Sequence, residues 1–335
     1  MFKNFKLSRD IGIDLGTATV QVYVQDKGIV IREPSVVAID KTTDKVIKVG
    51  REAQDLVGRA PDGIFTLRPL KDGDINEYEV TYKMLQYFIR RASGNTLLPP
   101  RIMLALPATL SEVEERAVHE AAAEAGARKS FIVPSPVAAA LGAGLDVRSP
   151  IGNMIVDIGG GVCEVAVISL GGIVVSKSIK IGGDSFDEAI VRYVNDAYGL
   201  MIGERTAEGI KKKIGEVYEH KEAKIVEVKG RDIVTGMPKV INLNSKEMIG
   251  ATFEPMTALI DCICEIIEKT PPELVGDILH NGIMLVGGGA KLSGLDKLIH
   301  RVTGIKTYVA DDPEDCVVKG AAAKLESINK YSIEG

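Results

Sequence analysis

A chain of 335 residues, 45% apolar and 26% charged, has the composition of a globular protein and exceeds the length at which one core keeps growing, so two domains are expected. A net charge of −5 argues against a nucleic-acid binder, whose footprint is normally basic. No apolar run approaches the roughly 20 residues that cross a bilayer, no secretory signal is present, and the cysteines (Cys163, Cys262, Cys264, Cys316) lack the paired spacing of a zinc site, which reads as reduced, cytoplasmic thiols.

In chain order, Ile11-Gly12-Ile13 reads as a buried strand that ends in the acidic turn Asp14-Leu15-Gly16-Thr17 and returns as the alternating run Val20–Val24. Strands continue to about Ile39. A helix is expected around Thr81–Ser93, a strand at Ile102–Leu106, and a helix from Ser111 to Ala125, where Ser111 followed by Glu114 forms a capping box. Met154-Ile155-Val156 then leads into a second acidic turn, Asp157-Ile158-Gly159-Gly160-Gly161, and returns as Val165–Ile168. A strand Gly172–Ser178, a turn at Gly182-Gly183-Asp184 and a helix Ser185–Ala197 follow. Lys224–Leu243 alternates, broken at Gly230 and at Gly236-Met237-Pro238, as a small antiparallel piece would. Gly282–Val286 is an apolar strand ending in Gly287-Gly288-Gly289-Ala290, with a helix from about Ser293. Strands mixed with covering helices make the chain α/β.

Strand, acidic glycine turn, strand is therefore written twice. Glycines let backbone N–H groups approach phosphate oxygens, and a carboxylate at the turn can hold a hydrated Mg²⁺, which points to Asp14 and Asp157 as metal-side groups. Two such hairpins facing each other would grip a nucleotide tail. One alone would be an ordinary turn as often as a site; the repetition carries the inference. The Gly287–Ala290 loop is a third close-approach candidate at a strand–helix junction. Glu208 and Lys211, three apart on one helical face, suit ribose hydroxyls and a base edge, or else a surface ion pair.

On these stretches, with Glu33–Ala38, Arg68–Gly73, Ile202–Glu208 and Thr270–Leu274 in the same order, the chain resembles the bacterial actin-like MreB family of the actin/Hsp70/sugar-kinase superfamily. The resemblance implies an actin-like fold of two lobes and four subdomains around a cleft holding ATP or ADP with Mg²⁺. Its boundaries would be subdomain IA at 1–31, 65–143 and 311–335, IB at 32–64, IIA at 144–182 and 242–310, and IIB at 183–241. It also implies residue roles. Asp14, Gly16, Thr17 and Ala18 match the first phosphate loop; Asp157 and Gly159, Gly160 and Gly161 match the second. Glu208 and Lys211 match the ribose and base contacts, and Gly288, Gly289 and Ala290 the adenosine loop. Thr19, Val162, Gly183 and Asp184, beside these loops, are counted with the nucleotide-binding set.

The departures from the family pattern fall where water would be activated. The family reads Glu-Glu-Pro where this chain has Pro134-Ser135-Pro136, and Ser135 is too short and too poor a proton acceptor to replace the glutamate that orients water. Val162 and Cys163 stand where two threonines follow the glycines. Thr19 replaces an asparagine, and Val20 a frequent threonine. Ser135 and Val162 are thus substituted catalytic positions, and the chain is expected to bind ATP well and hydrolyse it slowly or not at all, unless Glu164 or a neighbour substitutes.

Head-to-tail polymerisation into paired protofilaments on the inner face of the cell membrane is a further implication of the resemblance, with the chain itself and MreB paralogues as candidate assembly partners. Phe2 and Phe5, with Lys3 and Lys6 beside them, suit a short interfacial helix as well as a frayed strand start. Leu97-Leu98 before Pro99-Pro100 is an apolar loop tip in the region of the family's membrane-insertion loop. The alternative from another class is a sugar-kinase-type phosphotransferase, which needs an acceptor-activating aspartate that the sequence does not signal; an Hsp70-type chaperone would need a peptide-binding domain.

Overall fold

The computed structural model describes residues 9–71, 74–75, 77–94, 98–108, 110–219 and 222–331, so Phe2, Phe5 and Leu97 lie outside the described residues. It separates into two compact units, Met1–Val147 with Glu314–Gly335, and Arg148–Pro313.

The first unit is built on strands β1 (Asp10–Leu15), β2 (Thr19–Val24) and β3 (Gly28–Pro34), an antiparallel meander. Beside it a small sheet joins β4 (Val37–Asp40), β5 (Lys45–Val49) and β6 (Ile64–Leu67) in the order β5-β4-β6, with the short helix α1 (Arg51–Gln54) packed on it and the ribbon β7 (Leu70–Lys71) with β8 (Asp74–Ile75) following. Helix α2 (Tyr78–Ser93) leads to β9 (Arg101–Leu106), α3 (Glu112–Glu124), β10 (Lys129–Pro134) and α4 (Ser135–Gly142). The large sheet runs β10-β9-β1-β2-β3, with β9 parallel to β1 and β10 parallel to β9.

Period-2 patterning explains its faces. Ile11, Ile13 and Leu15 enter one core with Val20, Val22, Val24 and the α2 residues Met84, Leu85, Phe88 and Ile89. Asp10, Gly12 and Asp14 point the other way. Gly12 is required there because a Cβ would stand 2.8 Å from the Ala322 nitrogen of the helix Cys316–Tyr331. That helix crosses α4 at two more glycines, Gly320 and Gly142, each of whose Cβ would run into a carbonyl of the opposing helix. At the mouth of the sheet an ion pair of Arg101 with Asp10 joins the residues that face each other in the parallel register. The capping box expected at Ser111 is present: Glu114 N donates to Ser111 Oγ at 3.3 Å, and Ser111 N to Glu114 Oε2 at 2.8 Å.

The second unit repeats the plan. Strands β11 (Asn153–Ile158), β12 (Cys163–Ser169) and β13 (Gly172–Ile179) form an antiparallel meander. Helix α5 (Gly183–Tyr198), the two-residue β14 (Leu200–Met201), α6 (Glu204–Ile214), the hairpin β15 (Ile225–Asp232) and β16 (Pro238–Asn244), and α7 (Ser245–Ala251) make the smaller part of this half, with the sheet order β14-β15-β16. Gly230 lies within β15 and does not break it; a Cβ there would strike Leu200 and Met201 on the adjacent strand. Helices α8 (Phe253–Lys269) and α9 (Pro272–Asn281) return the chain to β17 (Ile283–Val286), α10 (Leu295–Thr303) and β18 (Thr307–Val309). The large sheet runs β13-β12-β11-β17-β18, the last two strands parallel to β11.

The two large sheets thus share one topology, a three-strand meander extended by two parallel strands. The register repeats as well. Asp14 faces Gln21 across the first hairpin, and Asp157 faces Glu164 across the second, at the same sequence offset.

Candidate functional site

The acidic turns stand at the carboxyl ends of β1 and β11, where ligands bind in open α/β sheets. In the first unit Asp14 is half-buried one residue before the strand ends, and Gly16, Thr17 and Ala18 form the half-buried turn before Thr19 opens β2. A Cβ on Gly16 would stand 2.7 Å from the Thr19 carbonyl, so this tight turn needs glycine. Ser35 holds the turn from outside: its Oγ donates to the Gly16 carbonyl at 2.5 Å and its N–H to the Ala18 carbonyl at 3.0 Å. Gln21, buried opposite Asp14, donates through Nε2 to the Glu314 carbonyl at 2.8 Å, while its Oε1 has no partner among the described residues. Neither Ser35 nor Gln21 is signalled in the sequence as a site residue. Ser135 follows the carboxyl end of β10, two strands from β1, as the buried first residue of α4.

In the second unit several predicted residues come together. The Gly159 N–H closes the turn on the Val162 carbonyl at 2.9 Å, and Val162 is half-buried at its end. The residues expected to form a separate turn, Gly183 and Asp184, are instead the first turn of α5. The physical reason is that their N–H groups are satisfied from across the fold: Gly183 N donates to the Gly159 carbonyl at 2.9 Å and Asp184 N to the Gly160 carbonyl at 2.8 Å. Gly182, just before them, lies so close to Gly159 and Gly160 that a side chain would overlap their backbone.

Gly287 follows β17 with φ of 80°, against the end of β11, where its Cβ would overlap Ile158 and the Asp157 carboxylate. Gly289 and Ala290 pack against Ile158 or into the core, and Gly288 is exposed. Asp157 is half-buried in this setting, and burial pushes its carboxyl up to about 6. Burial also pushes the Cys163 thiol well up, consistent with a core side chain and not a reactive one.

Glu208 and Lys211 occupy the same stretch of α6 but take different partners. Glu208 accepts from Lys212 at 2.6 Å, an exposed pair four residues apart. Lys211 turns inward to Asp187 Oδ2 at 2.8 Å and to the Gly183 carbonyl at 2.6 Å. Asp187 is buried, its carboxyl pushed up to about 6 by that burial against the pull of Lys211, and its Oδ1 has no partner among the described residues. An aspartate inside an amphipathic helix reads as a solvated position, so the sequence gives no sign of it. Of the residues expected to touch membrane, Leu98 is described and exposed; no described helix is long and apolar enough to cross a membrane.

Duplicated meander sheets, each with an acidic glycine turn at the carboxyl end of its first strand, define an actin-like α/β protein. The MreB/Mbl protein family matches residues 8–333. The chain is 46% identical over 339 aligned positions to the cell shape-determining protein MreB of Escherichia coli strain K12, covering 99% of this chain and 98% of that one, and 45% identical over 324 to Mbl of Bacillus subtilis strain 168, covering 96% and 97%. It therefore belongs to the MreB/Mbl family. Among solved structures it is similar to MreB5 of Spiroplasma citri bound to ADP, with TM-score 0.92, 37% identity and 98% of this chain against 99% of that; the same protein bound to AMPPNP gives TM-score 0.92 at 36%. A MamK double helical filament matches in fold, with TM-score 0.79 at 21% identity over 95% of this chain and 99% of that one.

Proposed function

We propose that this chain is an ATP-binding cytoskeletal protein that assembles head to tail into paired protofilaments at the inner face of the cell membrane, serves cell shape, and hydrolyses ATP slowly or not at all. Binding runs through the two acidic turns, aided by Gly183, Asp184, Glu208, Lys211 and the Gly288–Ala290 loop, with each unit carrying a large and a small subdomain at the boundaries given above. Cell shape-determining relatives at 45–46% identity support the cytoskeletal part, and nucleotide-bound MreB5 supports the ligand.

Asp14 and Asp157, each in its own turn, are the residues that would hold Mg²⁺ through water, and the fit rests on Asp157. A half-buried carboxyl raised to about 6 by desolvation is a group that a cation would return to its charged form. Bound there, the ion would neutralise phosphate charge. The chain's own residues hold the phosphates by backbone N–H groups at the glycine turns.

One observation carries the view on hydrolysis: at the two positions that would orient water, Ser135 is buried at the head of α4 and Val162 is an aliphatic residue at the turn. Neither can accept a proton from water at neutral pH, and losing a general base typically lowers a rate by ~10²–10⁴. Phosphate release measured beside light scattering and electron microscopy in one ATP·Mg²⁺ sample tests both halves. Filaments with little release are expected. Release at the rate of an ordinary family member would refute the hydrolysis part, and absence of polymers in every nucleotide state would refute the filament part.

A further inference from the structure

We propose that Asp187 is a positioning residue for the second phosphate turn, acting through Lys211, and that Lys211 in this chain serves the turn and not the nucleotide base. This rests on the nucleotide-binding reading above and assigns one of its residues a different task.

The contacts run in an unbroken line. The Lys211 ammonium, on α6, donates to Asp187 Oδ2 at 2.8 Å and to the Gly183 carbonyl at 2.6 Å. Gly183 N–H donates to the Gly159 carbonyl at 2.9 Å, and Asp184 N–H to the Gly160 carbonyl at 2.8 Å. Those two carbonyls belong to the turn whose N–H groups face phosphate in the nucleotide-binding reading. The lysine ties α6 to the first turn of α5, and the first turn of α5 holds the glycine turn.

The pair is also sheltered, with 14% of the Lys211 side chain and 9% of the Asp187 side chain exposed. A charge-assisted hydrogen bond in such a setting is short and strong and fixes the ammonium in one place. Its room is closed further by the backbone, since a Cβ on Gly183 would come within 3.1 Å of Nζ. An ammonium so held is not free to reach a base.

Two features argue that the arrangement is more than core packing. An aliphatic pair would fill the same space without a desolvation penalty. In addition, Asp187 Oδ1 is left buried with no partner among the described residues, a penalty that a purely structural site would be expected to remove. Glu208, which the family pattern would place beside Lys211 on the sugar and base, accepts from Lys212, whereas the Lys211 ammonium donates to Asp187 and the Gly183 carbonyl.

The test is competition against a fluorescent ATP analogue with Mg²⁺, using ATP, inorganic tripolyphosphate and adenosine, on wild type, K211M, D187N and the double variant D187N/K211M. Either single change strands a buried charge and lowers stability; the double change removes both, so it carries the test at a temperature far below its measured melting point. Positioning of the turn predicts that ATP and tripolyphosphate weaken together by roughly 10-fold, about the worth of one charge-assisted hydrogen bond, while adenosine is unchanged and the double variant is no worse than either single one. Weakened adenosine with unchanged tripolyphosphate would overturn the proposal in favour of a base contact. All three weakening alike, or none, would overturn it in favour of a structural pair. Wild type failing to bind ATP at all would fail the nucleotide reading itself, which the variants do not decide.

Discussion

Asp157→Asn should make the nucleotide-free protein more stable at neutral pH. Burial pushes the carboxyl of Asp157 from 3.8 up to about 6. A tenfold change in proton affinity corresponds to about 1.4 kcal/mol, so a rise of roughly a hundredfold sets an upper value near 3 kcal/mol, and discounting for the partial exposure of the residue leaves ~1–3 kcal/mol. The sign follows from proton linkage. Between pH ~4 and ~6 the folded chain keeps a proton on Asp157 that the unfolded chain has released, so this group lowers stability progressively as pH rises through that window and by a constant amount above it. The amide introduced by the substitution has the shape of the carboxyl without its charge, so the variant loses that slope. Urea denaturation of protein stripped with a chelator should show Asp157→Asn more stable than wild type at pH 7 and equal to it near pH 4. Adding ATP and Mg²⁺ should narrow or reverse the difference, since wild type gains more by ligand binding than a variant lacking the proposed metal-side carboxylate. A variant no more stable than wild type at pH 7, or a difference independent of pH, would refute the reasoning.

Gly320→Ala should destabilise the first unit by ~1–3 kcal/mol or more, because the new methyl meets the Ala138 carbonyl of α4 across a helix crossing that leaves no room; a thermal melt unchanged within error would show that the helices separate more easily than their glycines suggest. Ser135→Glu combined with Val162→Thr should raise phosphate release at saturating ATP by at least ~10-fold if those two positions alone limit the placement of water; no gain would mean that the barrier lies elsewhere.

The parts of the fold that are legible from the residues alone are those with local signals. Alternation with an acidic glycine turn marks both hairpins, and a capping box marks the start of α3, because each of these patterns is satisfied by residues a few positions apart. The parts that are not legible depend on distant backbone. Gly183 and Asp184 read as a turn from their composition, yet they extend α5 because the carbonyls of Gly159 and Gly160 take up their N–H groups. Gly230 reads as a strand break, yet it permits the close approach of β14. At the site, a spacing of three places Glu208 and Lys211 on one stretch of helix, but spacing says nothing of depth. Lys211 reaches inward beside the buried Ile210 and Ile214 and finds Asp187, while Glu208 stays outside with Lys212.

The same distinction decides which residues speak for a ligand. Gly16, Gly182, Gly287 and Gly289 are each required by a neighbouring atom of the protein itself, so their presence would be expected with or without a nucleotide. Carboxylates are different, because packing does not ask for them. Asp157 carries a desolvation penalty, and Asp187 carries a buried oxygen without a partner among the described residues; Asp157 opens the second glycine turn, and Asp187 is tied to α6 through Lys211. Groups that weaken the resting protein beside the proposed phosphate turn are the stronger argument for that proposal. Ser135 and Val162 bear on the question from the opposite side. Neither carries a charge that burial would penalise, which fits the proposal that a water-activating group is missing at each position.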